Sequence, residues 1–135
     1  RDILNIYGYS RIERLKIPYK TRKFIKFITD QNINVIYTVV CLNYKAKSIY
    51  KEKIKNFVEI FIDSDVKIII AKKKKKQIYK LKKNVVGVHI KPQFPKNPDI
   101  VIKNNFEKSI KSLSNELILK LKRFKNQNKI KKNLN

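Results

Sequence analysis

Few residues in this chain have the types and spacing that chemistry needs. Lys72-Lys73-Lys74-Lys75-Lys76 is the most visible group. Five adjacent ammonium groups suit a phosphate or nucleic-acid patch, and equally a solvated helix end, where the helix dipole favours cations. Cys41 and His89 are the single cysteine and histidine. Two such residues cannot build a Cys/His zinc site, which takes about four ligands, and one cysteine cannot form an internal disulfide. Cys41 has no base tied to it and reads as a small buried apolar residue rather than a nucleophile. Asp63 ends an apolar run, where an Asp can hold a metal or, more simply, cap the next helix. The chain has two glycines, Gly8 and Gly87. A phosphate-binding loop of the form G-x-x-x-x-G-K-S/T is therefore absent from these residues.

The composition frames these groups. The chain has 135 residues, 34 Lys and Arg against 10 Asp and Glu, and a formal net charge of +24. Lys, Ile and Asn make up roughly half of it, well above ordinary usage. All three have codons rich in A and T, so base composition accounts for much of the charge. Such a surface still attracts polyanions without specificity. A hydrophobic content of 42% is enough for a core. No apolar run reaches the ~20 residues of a spanning helix, and none near the start reads as a signal peptide. A reducing, cytoplasmic setting is the default for one cysteine. There is no Met and the sequence starts at Arg1, which leads us to expect an N-terminally truncated chain.

The elements that must position these residues follow from periodicity. Residues 1–7 read as the end of a helix broken at Gly8. Ser10, with Glu13 three residues on, is a capping box for a helix from about Arg11 to Asp30. Pro18 predicts a kink or local irregularity within it. Residues 33–42 are β-branched and nearly continuous, the pattern of a strand buried on both faces. Residues 45–55 read as a short surface helix. Phe57 to Asp63 is a second strand. Ser64 or Asp65 then caps a helix that continues into the lysine run. An irregular stretch around Gly87 and a proline-rich loop to Pro98 lead to a third strand at 99–102. A final amphipathic helix spans about Phe106 to Lys125. Residues 126–135 form a basic polar tail expected to fray. Strands alternating with helices indicate an α/β fold with a parallel sheet.

Five stretches resemble, in order, the adenylyl-sulfate kinase (APS kinase) family. Gly8-Tyr9-Ser10-Arg11-Ile12-Glu13-Arg14 is similar to the family's G-F/Y-S-x-x-D/E-R segment. Asp30-Gln31-Asn32-Ile33-Asn34-Val35-Ile36 is similar to D-x-G-I/L-x-V-I. Phe57-Val58-Glu59-Ile60-Phe61-Ile62-Asp63 resembles F-x-E-V-Y-V-D. Pro95-Lys96-Asn97-Pro98-Asp99-Ile100-Val101-Ile102 resembles the closing P-x-N-P-E/D-I/L-x-I/L. Asn84-Val85-Val86-Gly87-Val88, with Glu13-Arg14-Leu15-Lys16, is closest in flavour to the APS-kinase-like enzymes of surface-sugar modification clusters.

The resemblance covers about Arg1 to Arg123. It implies an APS-kinase-like domain over residues 1–125, with residues 126–135 as the tail. The fold implied is an incomplete three-layer P-loop kinase fold, its first strand and P-loop missing, and so marginal in stability or prone to aggregate. It also implies a sulfate-assimilation type of activity, moving the γ-phosphoryl of ATP, with Mg2+, to the 3′-hydroxyl of adenylyl sulfate or a related nucleotide. A homodimer is implied as well. Arg1 and Arg14 match substrate-binding positions, where a guanidinium fork suits phosphate or sulfate oxygens. Tyr9 and Ser10 shape the substrate loop. Lys75, Val86 and Gly87 belong to the nucleotide lid. No metal ligand and no catalytic residue is assigned. The departures are specific. The lid's Arg-Asp is Lys72-Lys73, its stacking Phe is Val85, its Asp is His89, a central-strand serine is Cys41, and the E-N-x-R-R segment is missing after Arg14. These 135 residues alone are therefore expected to lack kinase activity. The second reading is a basic α/β module that binds nucleic acid through phosphates.

Overall fold

The computed structural model describes residues 10–40, 44–72 and 83–133. They form a mixed α/β arrangement: α1 (Arg11–Asp30), α2 (Tyr44–Lys53), β1 (Ile60–Asp63), α3 (Val66–Ala71), β2 (Ile100–Lys103) and α4 (Ile110–Asn133). They divide into two compact units, one made of the residues up to Phe57 with residues 83–95, the other of Val58–Lys72 with the residues from Lys96 on.

In the first unit, α1 starts at the expected capping box. Ser10 Oγ accepts from the Glu13 amide, and Glu13 Oε2 accepts from the Ser10 amide at 3.1 Å, so two amides orphaned by the helix start are satisfied reciprocally. The helix runs through Pro18 without a break. It ends where Asn32 turns left-handed at φ 60° and donates to the Thr29 carbonyl. Asn tolerates that region better than most residues.

α1 buries Thr21 and Ile25. Against Ile25 lie Tyr50 and Ile54, with Val35 and Phe57 packed around them. The expected surface helix at 45–55 is thus corrected: α2 is polar in sequence but puts Tyr50, 5% exposed, into the core. One aromatic and one following Ile suffice, because Tyr50 stacks on Tyr37 at 5.9 Å and leans on Phe57 at 6.3 Å.

The expected two-sided strand at 33–42 is also corrected. Residues 33–40 form no ladder, and residues 41–43 lie outside the described residues. Ile36 is 95% exposed, and Ile33, Val39 and Val40 are exposed too. A strand exists through its pairing, and among the described residues none pairs with this segment. Val35 packs on the helices and Tyr37 reaches Thr21, while Ile36 between them points away. That is the alternation of an extended chain with one covered side.

The second unit holds the two-stranded parallel sheet. Ile60 lies opposite Ile100 and Asp63 opposite Lys103. Both ends are tied. Asp99 Oδ2 accepts from the Glu59 amide at 2.8 Å before the ladder starts. After it, the Asn104 amide donates to the Asp63 carbonyl and Ser64 Oγ donates to the Asn104 carbonyl, each at 2.8 Å. β2 packs on α4 and buries Ile100 and Ile102, the latter 1% exposed. Lys120 on α4 donates to the Val101 carbonyl at 2.8 Å.

Of the two capping candidates before α3, Asp65 is the cap, accepting from the Lys67 amide at 2.7 Å. α3 stops at Ala71, and Lys72 is extended, so the helix does not continue into the lysine run at its first residue. Lys72 Nζ instead sits 5.5 Å from the Phe106 ring centroid, a cation–π contact. The rest of the run lies outside the described residues. α4 begins later and ends later than the pattern predicts. Phe106 is left-handed at φ 65° and its amide bonds to Asn104 Oδ1. The helix then takes in most of the expected tail.

Candidate functional site

Arg14 stands in the first turns of α1 because the Ser10 cap fixes where the helix begins, and its own amide donates to the Ser10 carbonyl at 3.0 Å. Its guanidinium donates to the Asn84 carbonyl at 3.2 Å, across 70 residues of sequence. Asn84, left-handed at φ 62°, opens a tight turn. That turn winds on one acceptor: the Val85 carbonyl takes the amides of Val88, His89 and Ile90 at 3.2, 2.8 and 3.1 Å. Val86 bridges to Ile90. Gly87, at φ 90°, occupies a conformation that a Cβ would oppose.

The turn uses its own donors. The Gly87 amide donates to the Ile90 carbonyl at 2.8 Å. His89 Nδ1 accepts from the Val85 amide at 3.2 Å, which leaves the proton of the neutral ring on Nε2. His89 is thus an ordinary loop histidine that ties its own turn. Asn97 and Pro98 lie in the irregular stretch before β2, where Asp99 does its clamping.

Of the residues expected from sequence to form a site, Ser10, Arg14, Val86 and Gly87 therefore fall in one unit, and a direct contact joins the helix start to the glycine turn. Arg1, Tyr9 and Lys75 lie outside the described residues, as does Cys41. Asn84, the acceptor that completes the arrangement, was not singled out by sequence. Its position at the head of the N-V-V-G-V stretch was the available signal. Among the described residues no three His, Cys, Asp or Glu side chains gather as a metal site. None of their helices is long and apolar enough to cross a membrane.

Chemically, an arginine anchored to a backbone turn is a positioned cation. A guanidinium carries five N–H donors in a fixed fork that matches phosphate and sulfate oxygens. The same unit contains a shallow depression lined by Lys26, Lys51, Glu52, Lys53, Ile54, Lys55, Asn56 and Phe57. None of the expected site residues lines it.

The same unit holds a polar cluster that sequence did not disclose. Tyr50 Oη is 2.6 Å from Thr21 Oγ1 and donates to the Pro18 carbonyl at 2.7 Å. Burial pushes the Tyr50 hydroxyl up to about 12, against a smaller lowering by Thr21.

No protein-family model matches the chain. The cytidine diphosphoramidate kinase of Campylobacter jejuni subsp. jejuni serotype O:2 is 33% identical to it over 127 residues, which is 88% of this chain and 74% of that enzyme. A small parallel sheet in a mixed α/β arrangement is compatible with a kinase-like fold. With that identity and coverage added to the ordered motifs, the chain belongs to the kinase family of that cytidine diphosphoramidate kinase.

Proposed function

We propose that this chain is the nucleotide-acceptor part of an ATP-dependent phosphotransferase. Its substrate class is a nucleotide whose phosphate chain ends in a non-ester group. Adenylyl sulfate fits that class by the motif series, and cytidine diphosphoramidate fits it by the relative's name. We favour the cytidine compound: Val85 stands where the adenylyl-sulfate pattern has a stacking aromatic, and the E-N-x-R-R segment is missing. The observation that carries the reading is the Arg14–Asn84 contact. It joins two motif segments that sequence alone leaves 70 residues apart.

In this reading Arg14 takes phosphate oxygens, Ser10 sets the helix start that holds it, and the Val86-Gly87 turn lies beside the nucleotide. Arg1, Tyr9 and Lys75 are proposed for the same substrate and lid roles on the motif match alone. Residues 1–125 make up the domain and residues 126–135 the basic tail, with α4 crossing that boundary. The family resemblance also carries the proposal of a homodimer. ATP and Mg2+ are the co-substrate and ion of this chemistry. Mg2+ bound with nucleotide phosphates asks for one or two carboxylates. We assign no residue to the ion, and no step is routed through it. The two glycines leave no phosphate-binding loop in these residues, and we assign the γ-phosphate cradle to none of them.

Calorimetric titration of the chain with cytidine diphosphoramidate, adenylyl sulfate and inorganic sulfate tests this. Saturable binding of the cytidine compound, weakened about tenfold or more in Arg14→Ala, is expected. Equal binding of all three at one ionic strength would contradict it. Transfer of phosphate from ATP by these residues alone would overturn the assignment of the cradle.

A further inference from the structure

α1 differs from the other helices in what it shows to solvent. Its Tyr19, Phe24 and Phe27 are 44%, 53% and 65% exposed. Among the described residues, the aromatics of the other helices, Tyr44, Tyr50 and Phe124, are buried or half-buried. Lys16, Lys20 and Lys23 are exposed among the three rings. At 3.6 residues per turn these six side chains fall within about 140° of arc, on the side away from buried Thr21 and Ile25. Arg14 falls on the inner side with that pair. Each ring has a lysine three or four residues away, the spacing of neighbours on a helix surface. The two acids of the helix are engaged elsewhere, Glu13 in the capping box and Asp30 by Lys26 at 2.7 Å. From Lys16 to Phe27 the strip is about 17 Å long.

We propose that this outer face of α1 is a docking surface for single-stranded nucleic acid, separate from the Arg14 site and independent of the kinase reading. Unpaired bases stack on the three rings, and the lysines among them take the intervening phosphates. A ring accepts the face of any unpaired base, so this recognition carries little sequence preference. Charge complementarity and stacking both come from one strip. A duplex fits less well, because its bases are stacked on one another and offer the rings no face. An anionic bilayer also fits less well. A surface-bound helix keeps its charges off the apolar face it inserts, and here the lysines stand among the rings. A second copy of the chain would set three ammonium groups against three of the same sign.

The formal charge of +24 attracts any polyanion, so the deciding variant leaves the charge untouched. Tyr19→Leu/Phe24→Leu/Phe27→Leu keeps apolar bulk and helix propensity and removes the rings. Binding of a labelled oligothymidylate of about 15 nucleotides, and of a duplex of the same length, is measured by fluorescence anisotropy over a salt series. The Leu variant is expected to bind the single strand about twentyfold or more weaker, with salt slope and duplex binding unchanged. Lys16→Gln/Lys20→Gln/Lys23→Gln should cut the single-strand salt slope by about 2, at about 0.7 per phosphate. Circular dichroism compares the helix content of each variant with the parent. If the triple Leu substitution lowers it, Phe27→Leu alone, at the most exposed ring, must show a loss of about fivefold or more. A Leu variant that binds the oligonucleotide like the parent would overturn the proposal, as would equal losses on single strand and duplex. So would a parent chain that binds phosphatidylserine vesicles but not the oligonucleotide.

Discussion

The hydroxyl of Tyr50 lies 2.6 Å from Oγ1 of Thr21, in the interior between α1 and α2. Thr21 Oγ1 also lies 2.9 Å from the Ile17 carbonyl and 2.9 Å from Tyr37 Oη, so three hydroxyls meet at one junction. A satisfied junction fixes the angle at which α2 sits on α1, and a half-satisfied one is costly.

Tyr50 should therefore ionise well above the ordinary tyrosine range. Its hydroxyl is raised from 10.0 to about 12. A raised acid is neutral in the folded chain when it would already be charged unfolded. Its contribution is whole below pH 10 and declines as pH rises through about 12, by about 2 kcal/mol in all. Absorbance near 295 nm should show a late step that Tyr50→Phe removes. A titration in which that variant and the parent coincide would contradict the burial.

Thr21→Val keeps the shape of the side chain and removes its hydroxyl. We expect a loss of about 1–2 kcal/mol in urea unfolding. Combined with Tyr50→Phe, the two losses should not add, because the residues share one junction.

Ser10→Ala breaks the capping box that sets the start of α1. A loss of about 1 kcal/mol is expected from thermal or urea unfolding. Nucleotide affinity should fall as well, since Arg14 is carried on that first stretch of helix.

Arg14→Lys retains the charge and loses the fork. Binding of cytidine diphosphoramidate should weaken about five- to tenfold while the unfolding midpoint stays within about 2 °C, because one exposed hydrogen bond contributes little. A large drop in the midpoint would make Arg14 a structural residue instead.

Ile102→Ala should cost about 2–5 kcal/mol, the range for deleting a fully buried aliphatic side chain. It is the most buried residue described, and it joins β2 to the helix that packs on it.

Local chemistry made much of this fold legible. Ser10 and Glu13 announce a helix start through three residues of spacing. Asp65 and Asn32 act on neighbours within one turn. The strands at 60–63 and 100–103 were readable because Ile and Val in short runs flanked by Asp and Asn have few other uses. Residues 33–40 show the limit: a β-branched run specifies an extended chain, but a ladder also needs a partner, which the run itself cannot announce. Tyr50 shows another. Nothing local distinguishes it from Tyr44 on the same polar helix, and its burial depends on Thr21 and Pro18, 29 and 32 residues away. At the site, motif spacing marked Ser10, Arg14, Val86 and Gly87. It did not mark Asn84, whose part is played by a backbone carbonyl, a group every residue has.

The clamp of Asp99 on the Glu59 amide joins positions 40 residues apart. The parallel ladder cannot begin until that loop closes, whereas the turns of α1 and α4 form from neighbours. Closure over such a span carries an entropy cost that the first ladder bonds do not recover at once. The sheet should therefore be the late and rate-limiting element of folding, and Asp99 the residue whose replacement slows refolding more than its equilibrium loss suggests.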